Sequence, residues 1–144
     1  MKNFEKASKT LEFDKILTML ADCASTEGAK RKALALCPET DRERIERKQQ
    51  ETEEAKRLAG IKGTPSFVGI TDISDEVERA CKGAQLSMAE LLAVGRVLTC
   101  ARTLKRYPEE EHSGTHPFYV YFSRLMPDPK LERTITSSIL AEDL

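Results

Sequence analysis

Two histidines, His112 and His116, stand four residues apart, a spacing that on a helix would set two imidazoles on one face for a metal ion. Glu109, Glu110 and Glu111 beside them would add oxygen ligands. Gly114 and Pro117 oppose a helix here, and no third well-spaced ligand follows. Solvated loop residues account for the same stretch, and that reading is preferred. The four cysteines, Cys23, Cys37, Cys81 and Cys100, include no Cys-x-x-Cys pair. Reduced thiols are expected rather than zinc ligands or disulfides. Neither Ser113 nor Cys100 has a nucleophile signature around it, and Cys100 falls inside the strongest helix pattern, where a packed or partly exposed thiol is expected. Carboxylates are abundant but belong to charged helix faces, which solvent stabilises without any acid–base role. There is no Gly-x-x-x-x-Gly-Lys-Ser/Thr loop and no Gly-x-Gly-x-x-Gly to cradle phosphates. No catalytic, cofactor-binding or metal-ligating residue is therefore assigned, and no cofactor is expected in this stretch.

Two basic clusters remain. One is Lys30, Arg31 and Lys32; the other is Arg102, Lys105 and Arg106, with Arg96 placed to share its face. Either could meet phosphates through sequence-blind, salt-dependent contacts, but ordinary helix-surface charge is the preferred reading of both. Arg96, Arg102, Lys105 and Arg106 form the candidate nucleic-acid-binding set. The whole chain has 23 Lys and Arg against 24 Asp and Glu, a net charge of −1. That balance argues against strong DNA binding by these residues alone.

Helices must position these groups. The 144 residues suit one domain, 40% hydrophobic and 33% charged, with few aromatics. Phe13, Ile16, Leu17, Leu20, Ala21 and Ala24 recur at steps of three and four, predicting a helix over 11–24 with Thr10 as its cap. A second helix follows Ser25 or Thr26 and ends at Pro38. Thr40 and Glu43 have capping-box spacing, and Gly60 suits the position past the next helix end. That helix pairs Glu43 with Arg47 and Glu53 with Arg57, and its thin seam of Ile45, Ala55, Leu58 and Ala59 predicts a weakly packed surface helix. A Gly- and Pro-containing loop precedes a short helix over about 73–82, with Ile73, Val77 and Ala80 inward and Gly83 as its stop. Ser87 and Glu90 form a capping box for the strongest helix, whose face is Leu91, Val94, Leu98 and Ala101, closed by Pro108. Residues 118–126 favour β structure but have no partner strand, so a short helix is expected. Asp128 and Pro129 open a last helix with Leu131, Ile135 and Ile139 inward. The fold class is all-α, a bundle of about six to seven helices over a single domain, 1–144. No window reaches the ~20 apolar residues that span a bilayer. The opening MKNFEKASKTLEF is no secretory signal. A cytoplasmic protein without a membrane partner is expected.

The order of these pieces carries a resemblance. Thr10 to Leu17, Pro38 with Ile45 and the 51–55 run, Gly69 to Ile73, and Leu86 to Lys105 together resemble the N-terminal region of MutS-like proteins. The similarity is greatest to the second bacterial MutS paralogue, the form without a mismatch-reading domain. It covers residues 8–144 and is weakest over 107–130. It implies a helical core-and-lever segment at the head of a longer protein. Such relatives carry a downstream ATPase using ATP and Mg²⁺, usually with a Smr-type nuclease domain, and act as homodimers. Branched or mismatched DNA, DNA repair and suppression of recombination are what the resemblance implies for the whole protein. Ribosome rescue is the alternative. The missing C-cap at the chain end and the missing phosphate loop fit a piece cut from such a chain.

Three readings follow. The leading one is a non-catalytic scaffold segment of a DNA-acting ATPase. The second is a protein- or ribosome-docking module built on the charged helix after Thr40. The third is a small enzyme using the 109–116 loop.

Overall fold

End signals and side-chain periodicity set the helix order in a computed structural model that describes residues 7–67, 69–108 and 116–139. Glu109, Glu110, Glu111, His112, Ser113 and Gly114, and the chain end after Ile139, lie outside the described residues, so the expectations placed on them are not addressed. The fold is all-α; among the described residues there is no strand. The chain divides into two compact units, Met1–Pro38 and Glu39–Leu144.

In the first unit, α1 (Phe13–Asp22) and α2 (Glu27–Leu34) pack together. Thr10 is not the cap of α1. Residues 7–10 are already helical, and Glu12 takes the cap position at φ 52° with no side-chain cap bond. Thr26 caps α2 by accepting the Ala29 N–H at 3.2 Å. The helix stops at Leu34 rather than at Pro38, because residues 36–41 are already irregular. Ala21 and Ala33 are buried, while Ile16 and Leu20, both expected in the apolar stripe, are exposed, as is Met19.

In the second unit, α3 (Arg42–Lys62) is capped by Asp41, which accepts from Glu43 and Arg44 N–H, and not by Thr40. It runs past Gly60 to Lys62, where Gly63 at φ 79° ends it in a conformation that suits a residue without Cβ. Where spacing pointed to Glu43–Arg47 and Glu53–Arg57, the carboxylates that hold these arginines are Glu51 and Glu54. The prediction of a weakly packed surface helix fails at one residue. Leu58 is 0% exposed and is the most deeply buried large side chain described.

Helix α4 (Ser74–Cys81) leaves Val77 47% exposed and Ala80 exposed, contrary to the expected inward face. Gly83, at φ 85°, follows its end as predicted. Arg79 of this helix pairs with Glu90. Helix α5 (Met88–Arg106) has both halves of its capping box, Ser87 accepting the Glu90 N–H and Glu90 accepting the Ser87 N–H at 2.8 Å. Residues 117–123 form a 3₁₀ turn, Pro117–Tyr119, that continues into α6 (Val120–Ser123), in keeping with the short helix expected there. Helix α7 (Pro129–Ser138) starts on Asp128, whose carboxylate accepts the Lys130 and Leu131 N–H groups, both at 3.0 Å. Ile135 and Ile139 are buried, but Leu131 is 44% exposed and Glu132 takes the inward place beside it.

Aromatic hydroxyls tie the 3₁₀ turn and α6 to α3. Tyr119 donates to Glu54 at 2.5 Å, and Tyr121 donates to Glu51 at 3.0 Å. Arg57 grips Glu54 through Nε and Nη2 at 2.9 and 2.8 Å. These donors, Arg57 first and Tyr119 second, hold the Glu54 carboxyl at about 2, well below its usual value. Its folded value is depressed, so its stabilising contribution is complete above the ordinary carboxylate range and is lost as pH falls toward 2.

Leu58→Ala should destabilise this unit by about 2–5 kcal/mol, since a buried leucine leaves a cavity. Urea unfolding followed by circular dichroism measures it; a change under about 0.5 kcal/mol, the range of ordinary surface changes, would contradict the burial. Tyr119→Phe should raise the Glu54 pKa, read by carboxyl-carbon NMR titration. An unmoved titration would show that the hydroxyl contributes nothing.

Candidate nucleic-acid interface

From Leu91 to Pro108 the chain carries four cations, Arg96, Arg102, Lys105 and Arg106, and no acid. On α5, Gly95, Thr99, Arg102 and Arg106 follow each other at steps of three and four, so they line one face. That face meets α7. Gly95 is what lets the two helices approach. A Cβ placed on it would come within 3.3 Å of Ile135 Cγ2.

Above this contact sits a charged clasp. Glu132, 9% exposed, accepts from Arg102 Nε at 2.9 Å, from Arg102 Nη2 at 3.0 Å and from the Thr99 hydroxyl at 2.8 Å. Donation by Arg102, then by Thr99, holds the Glu132 carboxyl below the usual carboxylate range. The same pair raises the Arg102 guanidinium. Two parallel N–H···O bonds fix the arginine's plane as well as its charge.

The four sequence candidates therefore separate. Arg102 is held by Glu132, with Arg106 beside it on the rim of a hollow of about 340 Å³ between α5 and α7. Lys105 donates to the Leu125 carbonyl at 2.8 Å, linking α5 to the segment before α7. Arg96 lies against the loop at Gly69 and away from Arg106, so it does not share the Arg102 face. The sequence reading missed Lys130 and Arg133, two exposed cations on α7 that line the adjoining hollow, and it missed Glu132. A signal for Glu132 was present: it stands three residues before Ile135 and seven before Ile139, a carboxylate inside an apolar stripe.

Nothing else described here resembles a reaction centre. His116 accepts the Phe118 N–H through Nδ1 at 3.2 Å and thus caps the 3₁₀ turn. Among the described residues, no group of three or more His, Cys, Asp or Glu is placed to hold a metal ion. Cys100 is buried, its thiol donates to the Ser66 carbonyl at 3.6 Å, and burial pushes its pKa up, away from nucleophilic use. An apolar hollow of about 460 Å³ beside Phe67, Leu104, Phe118 and Phe122 has, among the described residues, no carboxylate, histidine or cysteine in its lining. No described helix is long and apolar enough to cross a membrane.

Known proteins supply the family. The chain is 37% identical over 142 residues to a protein named Endonuclease MutS2 from Acetivibrio thermocellus, covering 96% of this chain and 18% of that protein. It is 35% identical over 136 residues to the one from Pelotomaculum thermopropionicum, covering 94% of this chain and 17% of that protein. It is 34% identical over 137 residues to the one from Geobacillus kaustophilus, covering 93% and 18%. This chain carries the N-terminal region of the MutS2 family. It spans about 18% of the length of the MutS2 relatives it matches. No family model and no solved structure matches it.

In this MutS2 segment the α5–α7 clasp is a stability element with a testable cost. Arg102→Ala leaves the nearly buried Glu132 carboxylate short of its main donor, which should lower the stability of the segment. Glu132→Gln should cost less at neutral pH and should flatten the acid limb of stability. The folded Glu132 pKa is depressed, so its contribution is present above the unfolded value and is lost as pH falls through the folded one. Chemical denaturation of both variants between pH 3 and 7 checks this; identical acid limbs would refute it.

Proposed function

We propose that this chain is a non-catalytic helical scaffold segment of a MutS2-type DNA-acting ATPase, working on branched or mismatched DNA in repair or in suppression of recombination. The observation that carries this reading is the Arg102–Glu132–Thr99 clasp over the Gly95–Ile135 contact. It joins two helices through residues 30 and 33 positions apart in sequence into a stiff pair and leaves its polar groups satisfied rather than reactive. A stiff pair of this kind suits a lever that passes on rearrangements made elsewhere in a longer protein.

ATP and Mg²⁺ belong, on this reading, to parts of the protein beyond this segment. The residues present do not fit them, since the sequence has no phosphate loop and the described residues hold no metal-ligand cluster. The curated relatives are named endonucleases, which supports nucleic acid as the substrate of the full-length protein. A homodimer in the cytoplasm is the form we propose for it. Ribosome docking through α3 is less favoured because the cations in its first half are shared with carboxylates: Arg42 with Glu46, Arg47 with Glu51, and Arg44 and Lys48 with Glu39.

The purified 144-residue chain should hydrolyse neither ATP nor DNA above buffer controls. In the full-length protein, Glu132→Ala should lower DNA-stimulated ATP hydrolysis several-fold while the DNA-free rate stays unchanged. Hydrolysis by the isolated chain, or equal loss of both rates, would sink the scaffold reading.

A further inference from the structure

The two acids within the described part of residues 91–139 are both engaged. Asp128 accepts the first N–H groups of α7, and Glu132 is buried under Arg102 and Thr99. The same described residues carry seven cations: Arg96, Arg102, Lys105, Arg106, Arg124, Lys130 and Arg133. Glu109, Glu110 and Glu111 lie between these segments in sequence, outside the described residues. A chain with net charge −1 thus places an excess of positive charge on α5 and α7. Three of these cations, Arg106, Lys130 and Arg133, are exposed and belong to two adjoining hollows of about 340 and 470 Å³ that share Pro129 and Arg133. Among the described residues none of the three is in an ion pair that holds it to a carboxylate at contact distance.

We infer that this α5–α7 face is a contact surface for the phosphodiester backbone of a nucleic acid, with Arg106, Lys130 and Arg133 as the phosphate contacts. The inference rests on the reading of the full protein as DNA-acting and adds the surface it uses here. Arg102 is a positioning residue: its fork is held by Glu132, so its charge is balanced and its role is to set the separation of α5 and α7. Two hollows side by side, each rimmed by a cation and sharing a third, suit a polymer with repeating charges better than one isolated anion. Satisfied carboxylates beneath exposed cations keep the face positive without local repulsion of an incoming phosphate. Base edges are not read by such a surface, so its contribution is to affinity and orientation and not to sequence preference.

The test uses the full-length protein and fluorescently labelled duplex and branched DNA. Each backbone contact contributes about −0.9 to the slope of log affinity against log salt on duplex DNA. The triple variant Arg106→Ala, Lys130→Ala, Arg133→Ala should therefore bind about tenfold or more weakly at low salt, on every sequence alike, with a slope shallower by roughly 2–3. Its thermal unfolding by circular dichroism should match the parent, and the control variant Arg42→Ala, Arg44→Ala, Arg47→Ala on α3 should keep parental binding. Single Arg133→Glu, which replaces one exposed cation with an anion, should weaken binding more than Arg133→Ala. An unchanged affinity and slope in the triple variant with a parent that binds DNA overturns this surface alone. A parent that binds no DNA overturns the DNA-acting reading beneath it. Weaker binding with an unchanged slope, or equal competition by polyaspartate of matched charge, shows that the face is not a phosphate contact and also overturns the inference.

Discussion

One close approach organises the better-packed part of this protein. Gly95 lets α7 sit close against α5, and a Cβ at that glycine would meet Ile135 Cγ2 at 3.3 Å, so the isoleucine side chain would have to shift. The approach brings Thr99 and Arg102 within hydrogen-bonding reach of Glu132, one and two turns further along α5. A carboxylate so nearly buried is costly unless its oxygens are fully engaged. Here three donors engage them, so the cost of burial is offset and the pair has one preferred register. The basic face derives from this contact, because it brings Arg106 and Arg133 to the rim of a single hollow.

A second set of interactions holds α3 to the turn and α6. Its composition is unusual for a helix so charged. Glu51 and Glu54 receive tyrosine hydroxyls from sixty-five to seventy residues later in the chain. Tyr107 donates to the Gly63 carbonyl at 2.6 Å, and Lys62 donates to the Tyr107 carbonyl at 3.0 Å. Leu58 provides the apolar anchor. The helix is thus docked by Leu58, with Ile45, Ala55 and Ala59 half-buried beside it, and by a row of polar bonds. Its remaining ion pairs are exposed, and pairs of that kind contribute little.

Both sets explain why some features were legible and others were not. The capping box at Ser87 and Glu90 and the Asp128–Pro129 start were legible because each involves atoms within four residues of one another. The choice of Asp41 over Thr40 was not, although both can cap: a difference of one residue in where the backbone turns decides it. Ile16, Val77 and Leu131 all stand at positions that helical periodicity marks as inward, and all are largely exposed. Periodicity shows that a helix has an apolar side but not that a partner covers it. Of the candidate cations, the acid-free run from Leu91 to Pro108 announced a basic element. That Arg102 is neutralised, Lys105 is bound to a carbonyl and Arg96 faces elsewhere depends on residues twenty to thirty positions away.

Sequence by itself determined the all-α class, most helix starts, the absence of a phosphate loop and the MutS2 kinship, because these depend on local backbone hydrogen bonding, residue type and order along the chain. Tertiary structure decided which cations stay exposed, that Glu132 is a clasp, and that Leu58 is a core residue. Those outcomes come from burial and from charges brought together across loops. No local pattern encodes the dielectric around a side chain or the partner that a fold places opposite it.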